Sequence, residues 1–334
     1  MEISDSFKKI KIVRAYDERE FINLYRNKEC LYVRANGNND NDGLSEQTPF
    51  ENLEWALNIA QKYNVYKIIV IGELDCKVLD NTRSTFTFAI NPDFNNEILI
   101  TGKQNAKEDE KAVLTTKDKN ISVLNCYLNM DNYTMNNLTE GKIRFENIEL
   151  KNGDIGLWIK GMTVILGNNA IISKNIIGVA LDAYSTLILD GGIISNNDRA
   201  VNIGNSGTLS MLGGAIKNNG DSENDEGGVR IQQGGLFKMY DGLITENKVS
   251  GDGAGVYVEG IATFEINGGK ITKNIANNAG GGVIVLSMGI FKQNGGLIID
   301  NEAKIGKNKN IYIQNLAHAH FADPYYNDYI KSIS

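Results

Sequence analysis

Gly255-Val-Tyr-Val-Glu-Gly-Ile-Ala-Thr-Phe-Glu-Ile-Asn-Gly-Gly-Lys-Ile-Thr-Lys-Asn274 is one lap of a repeat. It holds three short alternating segments, Gly255–Val258, Thr263–Ile266 and Gly269–Thr272, separated by turns. Alternation of apolar and polar residues over four positions predicts half-buried strands. The lap closes on Ile-x-x-Asn, and that pattern recurs as Ile172/Asn175, Ile194/Asn197, Ile216/Asn219, Ile244/Asn247, Ile271/Asn274 and Ile298/Asn301. Successive Asn residues lie 22, 22, 28, 27 and 27 positions apart, so the chain returns to one structural position on every lap. Two further columns keep the register. Leu157, Val179, Val201, Val229, Val256, Val283 and Ile311 form one, usually preceded by Gly, Ala or Asn, and Val164, Leu187, Leu209, Phe237, Phe264 and Phe291 form the other.

Three strands per lap, with an Ile, a Val and a Leu or Phe turned the same way each time, define an all-β, single-stranded parallel β-helix of about nine coils. Each coil pairs with the next at about 4.8 Å, and like side chains stack inside. A leucine-rich repeat would need Leu-x-x-Leu-x-Leu-x-x-Asn, which is absent. An Asn amide offers two donors and two acceptor sites, so the Asn column can bond both its own turn and the Asn of the neighbouring coil. That makes the column scaffold rather than a ligand site.

Length and composition agree with one elongated body. The 334 residues contain 35 Gly but only 3 Pro, as expected when nearly every strand is interior and needs its backbone donors. A formal charge of −7, with no Lys/Arg run interleaved with aromatics, argues against nucleic acid as a partner. Cys30, Cys76 and Cys126 are odd in number and far apart, which predicts ordinary thiols and not a disulfide framework or zinc site. Neither a signal-peptide core nor an 18-residue apolar run occurs in the sequence, so no transmembrane segment is expected, and the chain reads equally as a soluble protein or as a mature segment whose export signal was removed.

The expected plan is a cap over residues 1–66, a β-helix over 67–315 and a C-terminal tail over 316–334. Within the cap, Ile10–Val13 reads as a strand and a short helix starts at Asp17, with Phe21, Leu24 and Tyr25 on one face. Thr48 and Glu51 form a capping box with Pro49 at the first helical position, predicting an amphipathic helix over about 49–62 that covers the open end of the solenoid. Early coils are expected at Lys67–Gly72, Phe86–Ile90, Ile98–Gly102, Val113–Thr115, Ile121–Leu124 and Ile143–Leu150. Apolar residues of the tail, Phe321, Tyr325, Tyr326, Tyr329 and Ile330, are expected to close the other end.

Leu31-Tyr-Val-Arg-Ala-Asn-Gly-Asn-Asn-Asp-Asn-Asp-Gly-Leu-Ser-Glu-Gln-Thr-Pro-Phe50, an amphipathic helix and a strand ending Ile71-Gly-Glu resemble the N-terminal module of pectin-lyase-like right-handed β-helix proteins. The Gly-Gly-x-Ile-x-x-Asn and Gly-Gly-Val-x-Val laps resemble repeats of bacterial surface β-helix proteins, including autotransporter passengers. Together they cover roughly residues 31–315. The resemblance implies a right-handed coil and an extracellular or cell-surface setting. It does not choose among lyases, hydrolases, tailspikes and non-catalytic adhesins.

A polygalacturonase-like activity would imply Asn-x-Asp, Asp-Asp and Gly-His-Gly together along one strand column; that set is missing, since Asp-Asp and Gly-His-Gly occur nowhere, and the two histidines, His318 and His320, fall in the tail. Asn38-x-Asp40-x-Asp42-Gly43 and Asp221-x-Glu223-x-Asp225 look like calcium loops, but the first has Pro49 where the closing Glu belongs, so Asx turns are the simpler reading and no cofactor is required. An outward column beside the Val column runs Trp158, Ala180, Asn202, Arg230, Tyr257, Ile284, Tyr312, and next to it run Lys160, Asp182, Gly204, Gln232, Glu259, Leu286, Gln314. Aromatic faces next to amides and charges suit sugars, which nominates Trp158, Asp182, Arg230, Tyr257, Glu259 and Tyr312 for contact with a polysaccharide or a surface protein. The expected function is therefore a non-catalytic, adhesin-like β-helix presenting an extended face. The alternative is a polysaccharide lyase or glycoside hydrolase, which demands at least three acidic or basic groups converging in one groove. The longer laps insert residues 220–227, 248–254 and 275–281 after the Asn, and a local function belongs in those loops and on the aromatic column.

Overall fold

In the computed structural model, residues 18–76, 87–90, 96–116, 121–128, 141–221, 227–306, 308–314 and 317–321 are described. The chain winds as a right-handed parallel β-helix with three long sheets. The first has eleven strands, running from Leu31–Arg34 to His318–Phe321, and the second and third have nine strands each, so nine complete coils are present. Lap 142–160 shows the order: Lys142–Glu146 in the first sheet, Ile148–Lys151 in the third, Ile155–Lys160 in the second. Pairing is parallel and in the register the columns require, for example Ile172↔Ile194, Val179↔Val201 and Phe237↔Phe264.

The stacked columns are the core. Val229, Val256, Val283, Ile216, Ile244, Ile271, Phe237, Phe264 and Phe291 are all at most 1% exposed. The Phe rings stack at 4.9 and 5.5 Å between centroids, and Phe321 closes the column edge-on to Phe291 at 5.5 Å.

Each ladder Asn is buried and bonds along the axis. The Nδ2 of Asn175, Asn197, Asn219, Asn247 and Asn274 donates to Oδ1 of the next Asn at 2.9–3.0 Å, and the same Oδ1 accepts the preceding Asn's backbone N–H. Most also close their own turn, as when Asn175 Nδ2 donates to Ser173 O. The turn forces the preceding residue into the left-handed region: Lys174, Asn196, Asn218, Glu246, Lys273 and Asp300 have φ of 56–58°. That conformation costs a non-glycine residue roughly 1–2 kcal/mol, and the ladder offsets it. Beside the ladder most coils leave no room for a side chain. A Cβ on Gly228 or Gly255 would sit 2.1 or 2.3 Å from the carbonyl oxygen of Gly255 or Gly282, which explains the small residue before each Val. In the last coil that position is Asn310, and its Oδ1 accepts from Asn301 Nδ2 at 3.1 Å, so the final rung comes from a different column.

At the N-terminal end the helix Leu53–Tyr63 buries Leu53, Ala56, Leu57, Ile59 and Ala60 against the first strands. Its start differs from the capping-box expectation. Asn52 is the N-cap, accepting from Trp55 N, while the Thr48 hydroxyl donates to Asp42 Oδ1 at 2.6 Å inside the preceding loop. In that loop Asp40 N donates to Asn38 Oδ1 and Leu44 N to Asp42 Oδ1, an Asx-turn network. The short helix Glu18–Tyr25 buries Tyr25 but leaves Leu24 37% exposed; Phe21, Tyr25 and Tyr63 stack.

Other differences are local. The strand expected at Ile121–Leu124 is Leu124–Leu128, because the backbone of Ile121 and Val123 bonds the turn at Asp154 and Ile155. His318 and His320 are exposed but lie in a strand, in register with Ile290 and Lys292, and not in a solvated tail. The three cysteines are free, with Cys76 and Cys126 buried; burial pushes the Cys76 thiol up to about 12. Ile10–Val13, Asp17, residues 223–225 and Tyr325–Ile330 lie outside the described residues.

Candidate functional site

The second sheet positions the site. Its inward residues, such as Leu157, Ile159, Val201, Ile203, Val256 and Val258, are buried, so strand alternation turns the residue between each pair outward. The outward column is in continuous register: Trp158↔Ala180, Ala180↔Asn202, Asn202↔Arg230, Arg230↔Tyr257, Tyr257↔Ile284, Ile284↔Tyr312. It is not continuously open. Ala180 is 7% exposed and Ile284 only 1%, and glycines of the long laps, Gly253 and Gly280, press on Ile284. Tyr312 is thereby separated from Tyr257.

Two clusters form on this face. In the first, Trp158 Nε1 donates to Asp182 Oδ2 at 3.0 Å, Asn205 Nδ2 donates to Asp182 Oδ1 at 2.6 Å, and Lys160 Nζ stands 3.5 Å from the Trp158 ring centroid. In the second, Arg230 donates through Nε and Nη2 to Glu259 Oε1 at 3.0 and 2.6 Å, with its guanidinium 5.0 Å from the Tyr257 ring centroid. The structure therefore joins Trp158 with Asp182, and Arg230 with Tyr257 and Glu259. Asp182 and Arg230 stay two coils apart. Between them Asn202 has a buried Oδ1 with no hydrogen-bond partner among the described residues.

The inserted loops build a wall. Lys248–Val249, Ile275–Ala276 and Glu302–Ala303 form a short fourth sheet over a small apolar cluster of Val249, Ala254 and Ala276. Between wall and second sheet lies a cleft of about 290 Å³ lined by Arg199, Arg230, Tyr257, Val249, Asp252 and Asn278, with a glycine-rich backbone. Asp252 Oδ1 accepts from Ala279 N at 2.8 Å. Arg199, Asp252 and Asn278 were not among the nominated residues. Arg199 opens its strand outside the columns, and the others sit in loops whose return to the sheet has no periodic signal. Their neighbourhood was marked only by the lap lengthening at 248–254 and 275–281. Among the described residues no group of three or more His, Cys, Asp or Glu gathers as a metal would require.

Asp198, exposed and next to Arg199, has its carboxyl raised above the ordinary value, first by partial desolvation and then by Asp221. A raised carboxyl costs stability above its folded pKa, and the cost vanishes once the pH falls below the unfolded value of 3.8. Asp198→Asn should raise the melting temperature at pH 7 and leave it unchanged near pH 3; an equal shift at both pH values would refute this account.

Family models and curated protein sequences give no match to the chain. Among solved structures it is similar to pectate lyase Pel9A, with 16% identity and a TM-score of 0.49 over 84% of this chain and 78% of that one. It is also similar to an alginate lyase from Paenibacillus sp. str. FPU-7, with 13% identity and a TM-score of 0.47 over 80% of this chain and 96% of that one. A GH136 lacto-N-biosidase from Eubacterium ramulus follows at 8% identity and a TM-score of 0.27, over 87% and 68%. These likenesses concern the course of the backbone. No helix among the described residues is long and apolar enough to cross a membrane.

Proposed function

We propose that this chain is a non-catalytic surface or secreted β-helix whose second sheet binds an extended glycan, with the cleft beside Arg230 and Tyr257 as its deepest contact. The observation that carries this reading is the in-register column from Trp158 to Tyr257, where aromatic rings, amides and charges follow one another at coil spacing beside an open cleft. Sugars offer apolar ring faces and hydroxyls at comparable intervals, which such a surface can meet by stacking and hydrogen bonding. The unpartnered Oδ1 of Asn202 adds an acceptor with a buried group still to satisfy. Asp182 and Glu259 are held by hydrogen bonds to their neighbours, which suits positioning better than proton transfer. A glycan array on wild type and on Trp158→Ala/Tyr257→Ala is expected to show binding that the double substitution abolishes. Absent or unaltered binding refutes the reading.

One observation favours an enzyme as the second reading: Arg199, Arg230 and Asp252 line the same cleft, meeting the requirement for three converging charged groups. Incubation with polysaccharides, with and without calcium, separates the two. New reducing ends establish an enzyme, with ultraviolet absorbance from unsaturated product marking a lyase, and the absence of both with glycan bound supports the binding module.

A further inference from the structure

The third sheet turns one column outward in unbroken register over successive coils: Glu149, Ile171, Ile193, Ala215, Leu243 and Lys270. The residues after them in the strands, Leu150, Ile172 and Ile194 among them, are buried in the core, so alternation sends this column out. Its members are only partly buried. Leu212 and Tyr240, in the turns that lead into the Ala215 and Leu243 strands and each 46% exposed, widen the apolar strip. A carboxylate bounds the four apolar residues on one side and an ammonium on the other.

A second column runs along the edge of the same face. It consists of the left-handed turn residues Lys174, Asn196, Asn218 and Glu246, all exposed and stacked coil upon coil. Here the base comes first and the acid last, with two amides between. Both columns share one centre, midway between the coil of Ile193 and that of Ala215. Among the described residues Lys174, Glu246 and Lys270 have no ion-pair partner within the chain. Glu149 is held on the face by Ser173 Oγ, which donates to its Oε1 at 2.6 Å, and its Oε2 stands 3.6 Å from Lys151 Nζ. A carboxylate has about four acceptor sites, so a second ammonium can share it.

We infer that the third sheet is a self-association face, on which a second copy of the chain packs antiparallel about a two-fold axis through that common centre. A two-fold contact requires a surface complementary to itself, and both columns read as complements when reversed. Glu149 meets the partner's Lys270, Ile171 the partner's Leu243, and Ile193 the partner's Ala215, large against small. At the edge Lys174 meets the partner's Glu246, and Asn196 the partner's Asn218. Symmetry makes each contact twice. The parallel arrangement would set Glu149 on the partner's Glu149 and Lys270 on the partner's Lys270, which charge repulsion disfavours. Six coils at 4.8 Å give a face about 24 Å long, so the buried surface is at the small end for specific contacts and the dimer is expected to depend on concentration. The second sheet stays open in this dimer, and the inference is independent of glycan binding.

Sedimentation velocity of the full chain over about 1–300 μM, the range that a contact of this size calls for, tests it. Wild type is expected to pass from monomer to dimer, and high salt to weaken the dimer. Glu149→Lys and Lys270→Glu should each weaken association about tenfold or more, because each turns two attractions into two repulsions. An equimolar mixture of the two variants should dimerise as wild type does, since in the mixed pair every acid again meets a base. The double variant Glu149→Lys/Lys270→Glu should do so alone. Two chains that had merely failed to fold would not rescue each other. A wild type that stays monomeric over the whole range, a dimer indifferent to both single substitutions, or single variants that remain monomeric when mixed would each overturn the inference.

Discussion

Asn247→Ala is expected to destabilise the protein by about 2–4 kcal/mol, against less than about 0.5 kcal/mol for Lys238→Ala. The substitution removes an acceptor and a donor at once. Asn247 Oδ1 accepts both the backbone N–H and Nδ2 of Asn219, and Asn247 Nδ2 donates to Ile216 O and Asn274 Oδ1. All are fully buried, so no water replaces the lost partners. Lys238 sits half-buried on the outward face of the first sheet, opposite Glu265, and loses little. Equal melting temperatures for the two variants would refute the ladder as a source of stability.

Phe264→Ala should cost about 3–5 kcal/mol, because the ring is fully buried between Phe237 and Phe291 and the cavity cannot collapse while both neighbouring coils hold their register. A solenoid adds a second consequence. Each coil contacts only its neighbours, so weakening one coil uncouples the stretches on either side. Calorimetry is expected to show a lowered and broadened transition, with amide protection lost first in coils 263–321. A single sharp transition at the wild-type temperature would contradict the stacked-core account, and Phe264→Leu should recover much of the loss.

The columns were readable because inward positions recur at a fixed place in each lap, and one pattern set both burial and register from Leu157 to Ile311. The last rung was not, since Asn310 follows Asn301 by nine residues instead of a lap and arises from the glycine column. Thr48 and Glu51 matched a capping box, but Asp42 outcompeted the helix for the Thr48 hydroxyl, a contact that depends on how the loop folds back. The site was half legible. Strand alternation placed Trp158, Arg230 and Tyr257 outward, yet the covering of Ile284, the union of Arg199 with Asp252 in one cleft and the turn of Lys160 onto Trp158 follow from loop closure and rotamer choice. Neither leaves a periodic trace.

The Asn ladder also gives the rod a direction. In the bonds from rung to rung the donor always lies on the N-terminal side and the accepting Oδ1 on the C-terminal side, from Gly153 N–H onto Asn175 Oδ1 through to Asn301 onto Asn310, so the two ends of the row are chemically unlike. Two copies meeting by like ends would face donor with donor or acceptor with acceptor. Only head-to-tail stacking could continue the row, and that arrangement has no natural stopping point. The helix Leu53–Tyr63, seated across the first strands, blocks one of the two faces such a filament would require.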